Sequence, residues 1–320
     1  MTKQQKIKLA ILAVILIFGI VQAIILAGKG DNGKEEAKQT TSALVDGTTD
    51  SPTDMPTDAP TTDAGKSDMK VTFIDVGQAD CVLIESAGKF MIVDAGNNDD
   101  GTMVVNYLKS EGVTRLEYVI GTHPHEDHIG GLDNVIKAFE VGKVIMPDKS
   151  QATSTYEGVL KAIQKKKLTI TLPVPGDVYT LGNASFTIIG PVKDYGDEIN
   201  NWSIGLRLVN GNDSFMLCAD AEMAAEIDMV NSGATMKSDV LKVNHHGSKD
   251  STSYEFLNAV DPDYAVIMVG VDNEYGYPKD RVLERLAEKN AVVYRTDLHG
   301  HITAISSGDG ITFSLQKQGQ

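Results

Sequence analysis

Thr122-His123-Pro124-His125-Glu126-Asp127-His128-Ile129-Gly130-Gly131-Leu132 decides how this chain is read. It follows an apolar run, residues 116–120, that reads as a buried strand. Three of the chain's seven histidines, together with Asp127, fall within six residues here. Imidazole and carboxylate are the ligand types that zinc and similar divalent ions accept. At a strand end alternate side chains point the same way. His123 and His125 can therefore converge on one ion while Asp127 and His128 turn toward a second. Gly130-Gly131 lets the backbone pass close to its neighbours and starts a helix. The bland alternative is a solvated polar loop, and so many histidines in one loop argue against it.

Strand and helix patterns alternate on both sides of this segment. Strands are predicted over 71–76, 81–84, 90–93, 116–120 and 143–146, then over 185–189, 204–209, 214–218, 240–243, 265–269 and 291–294. Two more, 301–306 and 310–314, close the chain. Helical spacing appears over 103–111, 131–139, 156–167, 221–230 and 281–289, with 253–260 continuing the alternation. Residues 193–202 read as a polar loop bordering a cleft. Meander strands, then mixed units, then further strands predict an α/β fold of sheets covered by helices.

Other polar residues stand at strand ends. Asp220 follows strand 214–218 and is either a helix N-cap or a metal bridge. His245-His246-Gly247-Ser248 follows strand 240–243 and is either a polar turn or a ligand or acid–base pair. Asp94 is either an Asx turn or an acceptor that orients a ligand histidine. Asp75, Gln78 and Asp80 share a turn that is structural or lies at the base of the site.

The flanks are of another kind. Lys3, Lys6 and Lys8 precede an apolar run, residues 9–27, in which Gln22 is the only polar side chain. As a helix that run spans about 28 Å, near the ~30 Å of a bilayer core. Residues 1–27 therefore read as a membrane anchor with the rest of the chain outside, or as a cleaved signal peptide that would leave a secreted protein. Residues 28–68, rich in Thr, Pro and Asp, read as a disordered linker. Residues 69–317 are the single globular unit. The chain's formal charge is −15; residues 1–30 carry +4 and residues 31–68 carry −6, which leaves −13 for the remainder. So acidic a domain is not a general nucleic-acid binder, but a metal site supplies its own positive charge. Cys81 and Cys218 sit in apolar strand-like runs and are expected to be buried free thiols.

The HxHxDH run resembles the signature of the metallo-β-lactamase superfamily, hydrolases with an αββα sandwich. The domain is more narrowly similar to the metallo-hydrolase domain of ComEC-type competence proteins. The matching runs are FIDVGQAD (73–80), VDAG (93–96), THPHEDHIGGL (122–132), NWS (201–203), AD (219–220), LKVNHHGS (241–248) and YRTD (294–297). The resemblance implies two adjacent divalent ions, zinc or alternatively manganese or magnesium. His123 and His125 would bind the first; Asp127, His128 and one of His245 and His246 the second; Asp220 would bridge them. Much of the superfamily has a further histidine before the bridging Asp. Here none lies between His128 and His245, and Asn200 and Asn201 stand in that region, so the first site is a ligand short. Tyr277 stands before Pro278 where this group often has His.

The reaction so implied is hydrolysis of a phosphodiester, nucleic acid included, by metal-bound hydroxide. Asp127 and Asp220 would hold the nucleophile, and whichever of His245 and His246 is not a ligand would protonate the leaving oxygen. Asp80, Asp94, Asn200, Asn201 and Ser248, with Asn244 and Lys249, would support the site or substrate. A phosphocholine-type esterase acting on envelope polymers and a metal-stabilised, non-catalytic binding module are the alternatives. The expected partners are the substrate and, through the N-terminal helix, the membrane; no protein partner is expected.

Overall fold

The computed structural model describes residues 68–318. The expected membrane segment and linker lie outside the described residues, apart from the linker's last residue. Among the described residues no helix is long and apolar enough to cross a membrane.

The chain opens with β1 (Met69–Phe73), β2 (Val82–Ser86) and β3 (Lys89–Val93), then α1 (Gly101–Ser110), β4 (Arg115–Ile120), α2 (Glu126–Ile129), α3 (Leu132–Ala138) and β5 (Glu140–Ile145). There follow α4 (Ser154–Lys165), β6 (Ile170–Thr171), β7 (Val178–Leu181), β8 (Ala184–Gly190), β9 (Gly205–Asn210), β10 (Asp213–Leu217) and α5 (Met223–Asn231). The last part holds β11 (Val240–Lys242), α6 (Tyr254–Val260), β12 (Tyr264–Ile267), α7 (Asp280–Glu288), β13 (Val292–Arg295), α8 (Thr296–His299), β14 (Ile302–Ser306) and β15 (Ile311–Leu315).

Two sheets result. The first runs β15-β14-β1-β2-β3-β4-β5-β6 and the second β13-β12-β11-β10-β9-β8-β7. Each changes from antiparallel to parallel pairing partway across, at β3 in the first and at β10 in the second. Strand alternation explains the layering. Val71, Phe73, Ile84 and Met91 from one sheet meet Phe186, Leu206, Leu208 and Phe215 from the other in a shared core. The opposite faces bury Leu83 and Ile92 against Leu108, Leu132 and Val159 of α1, α3 and α4. Likewise Met216, Leu241 and Ala265 pack on Met229, Phe256 and Leu286 of α5, α6 and α7. The predicted sheets covered by helices are therefore present as an αββα sandwich.

The differences from the sequence reading have local causes. The first strand ends at Phe73 rather than residue 76, because Asp75 Oδ1 accepts from Gly77 N (3.2 Å) and turns the chain out of the sheet. The helix expected from residue 156 begins at Ser154, because Thr153 caps it by accepting from Tyr156 N (3.2 Å). Strands β6 and β7, two and four residues long, are too short for their alternation to be read. The polar loop over 193–202 ends in a turn of 3₁₀ helix, Ile199–Trp202. Cys81 and Cys218 are both buried and free, as expected.

Candidate functional site

The strand ends at one rim of the sandwich carry the polar residues. Strand β4 runs into Thr122 and His123, and α2 follows as a single turn with His125 at its N-cap. Backbone bonds stitch the neighbouring loops to this turn. Ala95 N donates to His128 O (2.8 Å), Asp80 N to Asp127 O (3.1 Å) and Gly96 N to Asp80 O (2.8 Å). So close an approach requires glycine: a Cβ on Gly130 would lie 2.3 Å from Asn97 C, and one on Gly131 2.3 Å from Ala95 O.

The second sheet supplies the opposite wall. Strand β10 ends before Ala219 and Asp220, and β11 before the 3₁₀ turn Asn244–Gly247. Asp94, Ala219, His245 and His246 all hold positive φ, at 58°, 47°, 48° and 53°. Each such residue costs on the order of 1–3 kcal/mol. Four of the ten non-glycine residues with positive φ among the described residues thus stand around this one cluster.

Asp127, His128, Asp220 and His246 each offer an atom to a group whose members lie within 4.8 Å of one another. His128 Nδ1 donates to Asp94 Oδ2 (2.8 Å), and His246 Nδ1 donates to Met268 O (2.8 Å). Each neutral ring is thereby fixed with its lone pair on Nε2. His128 Nε2 lies 3.2 Å from Asp220 Oδ2, and His246 Nε2 3.6 Å from it and 3.5 Å from Asp127 Oδ2. Neither Nε2 makes a hydrogen bond, and neither does the buried Asp220 Oδ1. Buried polar atoms normally find partners, so these orphans fit a cation held among them.

His123 and His125 make a second group. His123 Nε2 and His125 Nδ1 lie 3.1 Å apart. Ligand nitrogens around a tetrahedral zinc are separated by about 3.3 Å. His123 Nδ1 sits 3.2 Å from Thr122 Oγ1 and 3.3 Å from Ser203 Oγ, and Ser203 Oγ also accepts from Asp220 N (3.2 Å). One hydroxyl thus links the two groups.

The electrostatics favour cations. Burial pulls the pKa of His123 well down, with the charge of His128 adding to it, and burial likewise lowers His125, so both rings are neutral and ready to bind. In His128 burial is outweighed by Asp220, Asp127 and Asp94, and in His246 by Asp220 and Asp80, so both values are raised. Burial of Asp220 is outweighed by His128, then His246, which holds its carboxyl well below the usual range. Four carboxylates, Asp80, Asp94, Asp127 and Asp220, share this space with one buried ammonium, Lys242. With His128 and His246 neutral, as ligands are, that is a formal excess of three negative charges.

The structure places three groups of residues about which the sequence left alternatives or an expected role. His246, not His245, joins the carboxylate group. His245 Nε2 stands 3.7 Å from Asp220 Oδ2, its Nδ1 3.5 Å from Glu222 Oε1, and its ring is partly exposed. Ser248 serves its own turn, its Oγ accepting from Asp250 N (3.3 Å), rather than reaching the cluster. Asp75 belongs to the Gly77 turn, and Gln78 ties that turn to the end of β12 by accepting from Gly270 N (3.2 Å).

Asn200 Nδ2 donates to Glu222 Oε1 (2.9 Å) and Asn201 Oδ1 accepts from Glu222 N (3.1 Å). Asn200 Oδ1 is buried without a partner. Asn244 turns away, donating to Glu226 Oε1 (2.7 Å). Two residues went unread in the sequence. Glu222 bridges Asn200 and His245. Lys242 pairs with Asp80, donates to Ala219 O (3.1 Å) and lies 3.9 Å from Asp220 Oδ1. A lysine inside an apolar strand was the available signal for the second.

A family model described as the metallo-beta-lactamase superfamily matches residues 74–271. ComE operon protein 3 of Bacillus subtilis is 30% identical over 254 residues, covering 74% of this chain and 33% of that protein. Recombination protein 2 of Haemophilus influenzae is 31% identical over 242 residues, covering 74% of this chain and 29% of that protein. The chain thus spans about a third of the length of these curated relatives, which are ComEC-type competence proteins. Among solved structures, the metallo-beta-lactamase fold protein YhfI of Bacillus subtilis superposes with a TM-score of 0.53 at 16% identity, covering 75% of this chain and 100% of that one. That likeness concerns the fold alone.

Proposed function

The chain belongs to the metallo-β-lactamase superfamily of metal-dependent hydrolases, and from that premise we propose that it hydrolyses a phosphodiester, with nucleic acid as the substrate class. The observation that carries this reading is the convergence of the unpartnered His128 Nε2, His246 Nε2 and Asp220 Oδ1 on one buried acidic space. His123 and His125 would hold one divalent ion, Asp127, His128 and His246 a second, and Asp220 would lie between them. Zinc suits this imidazole–carboxylate set, with manganese or magnesium as alternatives. When bound, such ions bring the pKa of water toward ~7 and polarise a phosphoryl oxygen.

The chain's own residues do the rest. Asp94 and the Met268 carbonyl hold the His128 and His246 rings in the ligand tautomer. Lys242 sets a fixed positive charge behind Asp80 and Asp220. His245, partly exposed and outside the carboxylate group, holds a proton at Nε2 for the leaving oxygen. Similarity to ComEC-type proteins supports nucleic acid as the substrate class. The lysines ahead of the apolar run over 9–27 support display of this domain outside the membrane, or secretion after cleavage.

A substrate panel tests the reading. Chelated protein would be reloaded with Zn²⁺, Mn²⁺ or Mg²⁺ and offered bis-p-nitrophenyl phosphate, p-nitrophenyl phosphate and a chromogenic β-lactam. The expected outcome is metal-dependent turnover of the diester, with little on the monoester or lactam. Tight metal binding with no turnover of any of them would overturn the enzyme reading.

A further inference from the structure

The loop over residues 271–279 presses against the His245–His246 turn and carries two tyrosines, Tyr275 exposed and Tyr277 partly buried. Lys279 N donates to Gly247 O (2.9 Å), and a Cβ on Gly247 would meet Pro278 Cβ at 2.5 Å. The Tyr277 ring stands edge-on to the His245 ring with centroids 5.9 Å apart. Tyr275 stacks on Tyr277 at 5.5 Å and 18° and is 54% exposed. The Lys279 ammonium sits 5.3 Å from the Tyr277 centroid and donates to Tyr275 O (2.5 Å). Asn273 fixes the loop: its Nδ2 donates to Gly270 O (3.1 Å) and Tyr277 O (2.8 Å), and its Oδ1 accepts from Tyr277 N (2.9 Å).

Tyr275 is exposed, Tyr277 is partly buried behind it, and the pair reaches the candidate site through His245, whose Nε2 lies 3.7 Å from Asp220 Oδ2. We propose that Tyr275 and Tyr277 form a stacking platform for the base of a nucleotide unit whose phosphodiester lies at the Asp220 cluster. This rests on the phosphodiesterase reading and names the group it would select. Two near-parallel rings present one flat face, which matches a planar base. Quaternary ammonium recognition calls instead for rings set around a point, and the nearby Lys279 ammonium repels a cation while attracting a nucleotide's phosphate. The asparagine-braced loop holds the platform in place before binding, which lowers the ordering cost. Trp202, with the Lys149 ammonium 5.9 Å from its ring, ends the segment that carries Asn200 and Asn201.

Calorimetry on the zinc-loaded full chain tests this without turnover, using thymidine 5′-monophosphate, methyl phosphate and phosphocholine as probes. Stacking contributes about 1–3 kcal/mol per base, so the thymidine nucleotide should bind on the order of tenfold more tightly than methyl phosphate. In Tyr275→Ala that ratio should fall to about one, and Tyr275→Trp should restore it. Equal affinities in the wild type, tighter binding of phosphocholine than of the nucleotide, no detectable nucleotide binding, or an unchanged ratio in Tyr275→Ala would each overturn the platform. A preserved ratio in a protein that turns over no phosphodiester would leave the platform standing and count against hydrolysis alone.

Discussion

Asp94 Oδ2 lies 2.8 Å from His128 Nδ1 and 2.6 Å from Thr122 Oγ1, so one carboxylate oxygen fixes both the ring of His128 and the residue before His123. Its other oxygen accepts from Thr122 N at 2.8 Å. Asp94 is thus the hinge pin between the candidate ligands and the first sheet. Asp94→Ala should weaken metal binding about 10- to 100-fold. Competition against a chromogenic chelator reads this directly, and an unchanged affinity would show that His128 needs no such holder.

Lys242 and Asp80 form a buried ion pair, with both side chains almost fully enclosed. Breaking such a pair from one side leaves an uncompensated buried charge and costs about 3–5 kcal/mol. Lys242→Met should therefore lower stability by that amount in urea unfolding of the metal-free protein. Adding Asp80→Asn should recover most of the loss. If the double variant is no more stable than Lys242→Met, the pair is not what holds this region.

The pKa directions set a pH dependence. Carboxylates led by Asp220 raise His128 and His246 against the effect of burial. In the metal-free protein their contribution is full below the unfolded value of about 6.5 and fades as pH rises through the raised folded values. His123 and His125 are lowered, so they oppose this slope near pH 6.5, where the unfolded rings still hold protons, and the opposition fades within about one unit above it. With a chelator present, the urea midpoint should fall between about pH 7 and 8. Metal must displace protons from His128 and His246, so affinity should rise over the same window, with proton release visible as a buffer-dependent binding enthalpy. A midpoint that climbs with pH under chelation would contradict these assignments.

The histidine pair should divide its labour. His246→Ala removes a member of the carboxylate group and should lower metal content. His245→Gln should keep the metal and lose about 10²- to 10⁴-fold in kcat, the usual range for a general acid. Metal analysis beside steady-state rates separates the two, and loss of metal in His245→Gln would reverse the roles.

Much of this was legible because it is local. The HxHxDH run, the strand before it and the Gly130-Gly131 passage announce themselves by spacing, and the alternation of strands and helices carried the layered fold. Residues whose partners are distant in sequence were not legible. His245 and His246 are adjacent, and only the left-handed turn that points one ring at Met268 O and the other at the opening tells them apart. Lys242 meets Asp80 across two sheets, and Glu222 acquires a role only because the turn over Ile199–Trp202 folds back on it. Strand β7 escaped notice because it is only four residues long, with Tyr179 and Leu181 its whole core-facing side.

The most direct measurement is the rate of bis-p-nitrophenyl phosphate hydrolysis as zinc is added stepwise to the chelated full chain, beside Asp220→Ala. Two cooperating ions with Asp220 between them predict that activity climbs mainly with the second equivalent and is lost in the variant. Full activity at one equivalent, or activity that survives Asp220→Ala, would contradict it.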